Sequence, residues 1–478
     1  MKGYYDTELF DKLEQFAAKQ KNDLIFDFPI IRIQLAFFLG KFAGNKYDTS
    51  KVVKTIEYKK LPFAFNDLLT LVKLRIQLTM LSFYNRKLLK DKVLLFGYTS
   101  HYSMHEGNEL NLYLSPFKQE LNKLKIEFEE LLIKRTDFKV KLTRLKVFYD
   151  MLRQYHTLSF SLKAKLFKTY DTYIKNAELL KQFLVENKVP EQAHCVSIYY
   201  NAKIQQEIAF NTFKHLLGIV RPKLIWSYVY YDNDALALSR AANHCKIPVV
   251  EYQHSQQSDL HFAYAKWNGM EHYRHYFPSI FWVWSQEDAE RISRNFPSTA
   301  YQPKIIAGGN LAVIQKKQQF GHKEASATNG ILVSLAGEWI PEFVENIIAN
   351  DSRFTWYFRL HPRYPQDKQR LIEFKNKFPG KIEMDLANGP SLYQVFTFVT
   401  INITNSSGVA LEAEHFGIRN IIIGERGGII YKNKIESGEF LTAASENELS
   451  DLLNKESSEV TISREDAVIK ERYIVDKS

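Results

Sequence analysis

A strand that gives way to a helix through two adjacent serines constrains this chain most. Residues 398–404 alternate apolar side chains with Thr and Asn, as β-strands do, and residues 409–416 resume at helical spacing. Between them lie Asn405, Ser406 and Ser407. Ser and Asn favour helix starts because their oxygens accept hydrogen bonds from free N–H groups, and a helix start carries about half a positive charge. The stretch predicts either an anion-binding loop that grips a phosphate or an ordinary capped helix.

A similar strand exit comes earlier in the chain. Residues 354–360 indicate a strand that includes Arg359, and His361 with Pro362 follows it. Proline cannot continue a β-ladder and biases the residue before it towards extended geometry. The imidazole of His361 is therefore predicted at the carboxyl end of a strand, where open α/β sheets bind ligands. There it could donate to a diphosphate, although a histidine before a turn-forming proline also occurs without function.

These two motifs carry a family resemblance. Residues from about 217 to 453 resemble bacterial surface-polysaccharide glycosyltransferases of GT-B type, a group that includes sialyltransferases, Kdo transferases of capsule assembly and CDP-glycerol polymerases. Those enzymes carry a His-Pro and a Ser-Ser motif in the C-terminal nucleotide-binding domain, which His361-Pro362 and Ser406-Ser407 match in order. The resemblance implies an α/β, GT-B-like fold with two Rossmann-like domains facing a cleft, here with extra N-terminal helices.

The same resemblance implies which residues bind the donor, with a CMP-activated acidic sugar as the first candidate. Arg359 belongs to the His-Pro strand exit, and Glu412 occupies the place where related enzymes often have an acid that contacts the ribose. Gly337 lies in the first turn of the second domain, where a backbone without Cβ could approach the donor phosphate. Turn geometry alone explains this glycine equally well.

Acid/base candidates come from a strand–helix–strand unit in the first half. Its strands cover residues 224–230 and 247–252, and their carboxyl ends fall on one edge of a parallel sheet. His254 follows the second strand and resembles the histidine of a Gln-His-Gly element in surface-polysaccharide relatives, with Ser255 replacing the glycine. The carboxylate motif that supplies the base in sialyltransferases has no clean copy here.

His254 is the preferred general base, because its ordinary pKa suits proton abstraction from an acceptor hydroxyl near neutral pH. Asp234 or Glu251 could orient or replace it. Asp232 is expected mainly to cap the helix that begins there.

A second polar loop follows the first buried strand, residues 92–98. It carries His101, His105 and Glu106, for which a solvated loop without catalytic duty is the favoured interpretation.

Length and composition predict a globular protein with more than one core. The 478 residues exceed one ordinary core, and the 45% hydrophobic and 25% charged content is ordinary for folded proteins. The predicted divisions are a helical segment (1–90), an N-terminal Rossmann-like acceptor domain with a helical insertion (91–314), a polar linker (315–329), a C-terminal Rossmann-like nucleotide-binding domain (330–455) and a tail (456–478).

The formal net charge of +10 predicts a negatively charged partner. A nucleotide donor, a lipid-linked glycan acceptor or an anionic membrane would serve, whereas the absence of a recognisable DNA- or RNA-binding motif ranks nucleic acid lower. The two cysteines fit reduced thiols, the chain opens without a signal peptide, and the apolar stretch 29–43 is broken by Arg32 and Lys41. We therefore expect a cytoplasmic protein, with peripheral contact to the inner face of the plasma membrane as an option.

Two helical regions are predicted outside the sheets. Leu35, Phe38, Leu39 and Phe42 share one helix face, and residues 68–90 mix apolar with basic side chains, which suits either membrane contact or packing on a core. Residues 115–185 are expected to be helical, with one apolar stripe that runs from Phe117 through Leu121 and Leu124 to Phe128 and Leu131.

The predicted activity is metal-independent transfer of a sugar from a nucleotide donor to a growing surface glycan, in capsule or lipopolysaccharide. No cofactor is expected beyond the nucleotide-sugar substrate, since the one Asp-x-Asp, residues 232–234, lies outside the nucleotide-binding half. Two alternatives are a CDP-alditol phosphotransferase and a nucleotide-sugar epimerase of the same fold. A third is a non-catalytic scaffold at the membrane surface.

Overall fold

A computed structural model gives the structure of the protein. It describes residues 9, 11–13, 15–16, 29–35, 58, 60–105, 108–111, 113–133, 142–189, 192–255, 257, 261, 263–264, 271–296, 302–320, 329–361, 364 and 367–454. The chain divides into two compact units, Met1–Ala307 and Gly308–Ser478. The finer domain boundaries expected from the sequence stay predictions.

The first unit surrounds a parallel sheet with helices. Its strands include β1 (Val93–Tyr98), β2 (Tyr102–His105), β3 (Asn108–Asn111), β4 (Phe128–Ile133), β5 (Leu224–Ser227), β6 (Val249–Tyr252), β7 (Ile280–Val283) and β8 (Lys304–Ala307). Its helices include α1 (Phe65–Asn85), α2 (Ser115–Lys123), α3 (Arg144–Leu166), α4 (Thr169–Glu186), α5 (Gln192–Val220), α6 (Asn233–Cys245) and α7 (Gln286–Asn295).

The six-stranded sheet of this unit has the order β4-β1-β5-β6-β7-β8, while β2 and β3 form a separate antiparallel hairpin. All six residues of β1 are buried, as expected for a central strand that helices cover on both faces. In this sheet β4 lies on one side of β1, and the strands that follow β4 in the chain, β5 to β8, lie on the other side. The topological switch point therefore lies between β1 and β5.

The second unit repeats this architecture with shorter helices. Its strands include β9 (Gly330–Ser334), β10 (Thr355–Arg359), β11 (Ile382–Glu383), β12 (Ile401–Thr404), β13 (Arg419–Ile422) and β14 (Phe440–Thr442). Its helices include α8 (Leu311–Phe320), α9 (Glu342–Asn350), α10 (Asp367–Lys377), α11 (Asp385–Asn388), α12 (Leu392–Val395), α13 (Val409–His415), α14 (Glu425–Ile430), α15 (Lys432–Glu436) and α16 (Glu446–Asn454).

The second sheet has the order β11-β10-β9-β12-β13-β14, and each pair of neighbours is parallel. Counted from its first strand this is the order 3-2-1-4-5-6 of Rossmann folds, with the switch point between β9 and β12. Two Rossmann-like parallel sheets, each surrounded by helices, confirm the predicted α/β, GT-B-like fold class.

Three sequence-based expectations about elements were wrong in part. Phe128 and Leu131 belong to strand β4, not to a helical stripe, because pairing with β1 outweighs the helix propensity of this segment. Helix α8 extends to Phe320 through the first part of the predicted linker. The loop after β1 begins with a 3-10 turn, Thr99–His101, and continues into the β2–β3 hairpin.

For the N-terminal helical region the sequence left two interpretations open, membrane contact and packing on a core. Leu35 is 1% exposed and belongs to the core of the first unit, so membrane contact through this residue is wrong. Phe38, Leu39 and Phe42 lie outside the described residues. Within the described residues, none of the helices combines the length and the apolar content that crossing a bilayer requires.

Candidate functional site

The carboxyl edge of the second sheet places the ends of three adjacent strands in one row. Arg359 at the end of β10 pairs in register with Ser334 at the end of β9. The hydroxyl of Thr404, the last residue of β12, donates to the carbonyl of Ser334 at 2.7 Å. The loops that leave these strands therefore start side by side, at the switch point where open parallel sheets bind ligands.

Two side chains hold the loop after β12 through the backbone of Ser407. The N–H of Ser407 donates to Oγ1 of Thr404 at 3.0 Å, and the hydroxyl of Tyr431 donates to the carbonyl of Ser407 at 2.7 Å. Ser406 is 5% exposed, and its hydroxyl takes part in no hydrogen bond with the part of the chain that the structure describes. Ser407 is thus a structural link, and Ser406 carries the free hydroxyl of the pair.

Helix α13, which follows this loop, does not start with the serine or asparagine cap that its sequence favours. Its N-cap is Gly408, without a side-chain capping bond, and the Ser407 hydroxyl accepts only a long contact of 3.4 Å from the N–H of Val409. Capping by the polar residues is thus limited to this long contact from Ser407, one residue before the N-cap.

Asn405 anchors the same loop against two glycines. Its side-chain amide donates to the carbonyl of Trp339 at 2.9 Å, across the switch point. A Cβ on Gly427 would lie 1.9 Å from the carbonyl oxygen of Asn405, and one on Gly424 would lie 2.6 Å from its Oδ1. No side chain fits at either glycine without displacing the loop that carries Ser406.

His361 leaves the end of β10 next to the turn after β9. Its ring lies 5.1 Å from the ring of Tyr364, centroid to centroid. Gly337 has a φ of +84°, and a Cβ there would lie 2.7 Å from the Tyr364 ring. The close approach predicted at Gly337 is thus an approach by the ring of Tyr364. This ring connects the loop after β10 to the loop after β9. Pro362 lies outside the described residues.

Arg359 and Glu412 form the charged part of this edge. The guanidinium of Arg359 donates to the carbonyls of Ala387 and Pro390 at 2.6 and 3.2 Å, and burial lowers its pKa. Burial raises the pKa of Glu412, while a hydrogen bond from Tyr393 and the nearby charge of Arg359 oppose that rise. Glu412 is thus a half-buried acceptor beside a fixed cation.

The corresponding edge of the first sheet is filled by an aromatic and histidine cluster. The hydroxyl of Tyr228, just beyond β5, lies 3.1 Å from the N–H of Tyr98, 3.1 Å from Nδ2 of Asn111 and 3.3 Å from Nδ1 of His101. Burial raises the pKa of Tyr228, so this hydroxyl stays protonated. His101 is therefore part of a packed cluster and not of a solvated loop, contrary to the interpretation favoured from the sequence.

His254 lies in the same region, after β6. Its Nε2 is 3.1 Å from the hydroxyl of Tyr231 and 3.5 Å from that of Ser255, and its ring meets the edge of Tyr113 with 5.7 Å between centroids. The imidazole is 8% exposed. A tyrosine hydroxyl on Nε2 fixes the ring orientation, as a base that must meet a substrate hydroxyl requires.

Glu251 is fully buried inside the sheet of the first unit. One carboxyl oxygen accepts from the N–H of Tyr230 at 3.1 Å, the other accepts from the hydroxyl of Tyr264 at 2.9 Å, and the N–H of Val229 also donates to this group. Burial raises the pKa of Glu251 to about 8, against the opposing effect of these donors. Val229 has a φ of +59°, which is strained for a β-branched residue. Glu251 therefore holds the strained loop that presents Tyr231 to His254.

Asp232 and Asp234 have separate tasks at the start of α6. Asp232 is the N-cap and accepts from the N–H of Asp234 at 3.1 Å, which confirms the predicted capping role. Asp234 forms an ion pair of 2.9 Å with Arg153 on α3. Of the other loop candidates, His105 lies in β2 and Glu106 lies outside the described residues.

Sequence reasoning missed several residues that complete these two edges. In the first unit they are Tyr113, Tyr228 and Tyr231, and in the second they are Tyr364, Tyr393 and Asn405. The run Tyr228-Val-Tyr-Tyr231 was a visible signal, since a strand end with three tyrosines has more hydroxyls than a core needs.

No protein-family model and no curated protein sequence matches the chain. Among solved structures it is similar to a UDP-GlcNAc 2-epimerase from Neisseria meningitidis bound to UDP-GlcNAc, at 12% identity over 77% of this chain and 92% of that chain, with a TM-score of 0.44. A UDP-GlcNAc 2-epimerase from Methanocaldococcus jannaschii is 16% identical over 77% and 93%, with a TM-score of 0.43. An α,α-trehalose-phosphate synthase (UDP-forming) from Burkholderia vietnamiensis is 11% identical over 77% and 92%, with a TM-score of 0.42.

Proposed function

We propose that the protein is a glycosyltransferase that binds a nucleotide-sugar donor at the carboxyl edge of its second sheet. The main support for this proposal is that β9, β10 and β12 end next to one another at the switch point. The loops that carry Gly337, His361 and Ser406 therefore start side by side. Crevices of this kind, with a few convergent polar groups, are the usual ligand sites of open parallel sheets.

Binding of the donor's phosphates is assigned to Ser406 and His361. A serine hydroxyl without a partner among the described residues supplies a hydrogen bond to a phosphate oxygen, and an imidazole held against Tyr364 supplies a charge-assisted one when protonated. His361 is also suited to stabilise charge on the phosphate that leaves when the sugar is transferred. These contacts need no metal.

Binding of the nucleoside's ribose is assigned to Glu412. A carboxylate accepts hydrogen bonds from the two ribose hydroxyls, and Arg359 beside it favours the ionised form. Arg359 is itself engaged with the carbonyls of Ala387 and Pro390, so its role is to fix this edge and not to reach the phosphates.

The base of the transfer is assigned to His254. Its orientation by Tyr231 supports this role over Glu251, whose two carboxyl oxygens are occupied inside the protein, and over Asp234, which is paired with Arg153. His254 would accept the proton of an acceptor hydroxyl bound at the edge of the first sheet. A growing surface glycan, free or lipid-linked, is the proposed acceptor, and a CMP-linked acidic sugar the proposed donor.

A thermal-shift screen of the full chain against CMP, CDP, UDP and GDP tests the proposal. We expect one nucleotide to raise the melting temperature, since a ligand at 100 times its dissociation constant stabilises by about 2.7 kcal/mol. His361→Ala should lose most of that shift, whereas the matched control His244→Ala, a histidine on α6 of the other unit, should keep it.

The same screen separates the alternatives. A preference for UDP together with turnover in the absence of any acceptor would contradict a transferase and favour an epimerase. Release of CMP from a CDP-alditol, with the alditol phosphate left on the acceptor, would favour a CDP-alditol phosphotransferase. Failure of all four nucleotides to shift the folded wild-type protein would contradict the donor site itself.

A further inference from the structure

Helix α1 is apolar on two opposite faces. One face carries the buried residues Leu74 and Leu78, which pack onto the first unit. The other face is exposed and consists of Phe65, Leu69, Val72, Ile76, Met80 and Phe83, whose exposed fractions run from 52% to 76%. These six recur at intervals of three and four residues, so they form one continuous stripe along the helix. We call them the α1 stripe.

The α1 stripe is not an ordinary protein surface. Single exposed apolar side chains are common, but a contiguous row of large ones marks an interaction surface on a folded protein. The opposite face already provides the packing that holds α1 on the first unit, so the stripe is not needed for that purpose. Because the residues that the structure describes leave the stripe exposed, a partner is expected to cover it.

Basic residues border the stripe on both sides. With about 100° between successive residues, Lys73 lies about 60° to one side of Ile76 and Arg75 about 100° to the other. Both are exposed, and neither has an ion-pair partner among the described residues. Three more exposed bases, Arg86, Lys87 and Lys90, follow the helix, while Asp67 is the one acid within it.

We propose that the α1 stripe is a membrane-contact surface that lies in the headgroup region of an anionic bilayer. A helix of 21 residues is about 31 Å long, and in this position its apolar row enters the acyl boundary while the flanking bases meet lipid phosphates. Long basic side chains reach upward from a buried stem, so Lys73 and Arg75 suit the rim of such a contact. The contact is interfacial and crosses no membrane.

Charge favours a bilayer over a second copy of this chain. Lys73 and Arg75 lie at the middle of α1, so pairing two stripes, parallel or antiparallel, would bring these bases close to their own counterparts. Like charges at such distances oppose association, and Asp67 alone cannot neutralise them. An anionic lipid surface supplies opposite charge at every position along the helix.

Vesicle flotation of the full chain is the direct test, with phosphatidylcholine vesicles and with vesicles that contain about one third phosphatidylglycerol. We expect binding to the anionic vesicles that weakens as salt rises, because each base near the surface adds about fivefold in affinity and the attraction is screened over about 8 Å at physiological ionic strength. The triple variant Val72→Ser, Ile76→Ser, Met80→Ser should lose at least tenfold in bound fraction, as should Lys73→Glu with Arg75→Glu.

Two control variants change similar chemistry elsewhere on the first unit. Leu124→Ser with Ile126→Ser removes exposed apolar side chains near α2, and Lys125→Glu with Lys188→Glu reverses two exposed lysines; both should bind anionic vesicles like the wild type. Circular dichroism of each variant establishes that it is folded. Equal binding by the wild type and the α1 variants would overturn the proposal. So would a wild-type dimer in light scattering that the stripe variant converts to a monomer without any lipid dependence.

Discussion

The carboxyl edges of the two sheets occupy the same topological position but are built from different side chains. At the first edge the space beyond the strands is occupied by large rings, with Tyr228, Tyr230 and Tyr264 completely buried. At the second edge the loops are short and polar, and the side chains of Asn405 and Thr404 hold them by donating to backbone carbonyls. One edge is thus closed by large rings, whereas short polar loops line the other.

Under the proposed function, the two edges carry different tasks. Rings that fill a switch point orient a neighbouring group, as Tyr231 orients His254, but leave little room for a nucleotide. Glycines and serines at a switch point let the chain itself approach a ligand. On this comparison, changes at the first edge should alter turnover and changes at the second should alter donor affinity.

His254→Ala should have the largest effect. Loss of a general base lowers rate by about 10²–10⁴, while donor affinity should stay near that of the wild type because the donor contacts lie in the other unit. Steady-state turnover together with nucleotide titration measures both. Tyr231→Phe, which removes only the hydroxyl on Nε2, should lower turnover less.

If His254→Ala keeps its activity and Asp234→Asn loses it, the carboxylate paired with Arg153 takes the role of the base. If His254→Ala weakens nucleotide binding instead, the division of tasks between the two edges is wrong.

Ser406→Ala should come next, with an effect on affinity. Loss of a charge-assisted hydrogen bond to phosphate costs about 1.5–3 kcal/mol, so nucleotide binding should weaken by about ten- to a hundredfold. Ser407→Ala should weaken it less, because the bonds that hold Ser407 in place involve its N–H and carbonyl. Isothermal titration with the nucleotide from the screen measures both variants, and Ser437→Ala, at an exposed serine of the same unit, is the matched control.

Equal loss in the two serine variants would show that the pair acts as a unit, and unchanged affinity in Ser406→Ala would contradict the phosphate assignment.

Glu251→Gln tests whether the first edge is held together as described. The pKa of Glu251 is raised from 4.5 to about 8, so the folded protein binds one more proton than the unfolded chain between these values. Stability from this group is present below about pH 4.5 and is lost as pH rises through about 8, at up to about 1.4 kcal/mol per pH unit. Urea unfolding at several pH values should show this decline in the wild type and a flatter profile in Glu251→Gln.

A glutamine can keep the contacts of Glu251, since its carbonyl accepts from the backbone and its amide meets the hydroxyl of Tyr264. Identical pH profiles in the two proteins would contradict a shifted Glu251.

Local patterns in the sequence were sufficient for most of the fold. Buried strands such as β1 and β9, and helix α7 with its capping Ser285, follow from periodicity and end signals within a few residues. Strand β4 was not predictable in this way, because its state depends on pairing with a strand distant in the chain. The burial of Leu35 depends on tertiary packing for the same reason.

For the candidate site, the sequence indicated residue types but not their partners. His361, Ser406 and Glu412 stand out because they follow strands that end in polar residues. That Tyr364 covers Gly337, or that Tyr393 reaches Glu412, depends on where separate loops meet, and no spacing within one segment encodes this. The switch point itself became visible only with the strand order.

The close contacts of Asn405 with Gly424, the N-cap of α14, and with Gly427 inside that helix limit how the second unit can diverge. At Gly427 even a methyl group would collide with a backbone oxygen, which no rotamer change can relieve. A saturation library should therefore contain almost no tolerated replacement at Gly427, whereas the accessible neighbour Arg426 should accept many. Descendants of this chain can change the side chains around the loop, but the course of the loop itself is inherited unchanged.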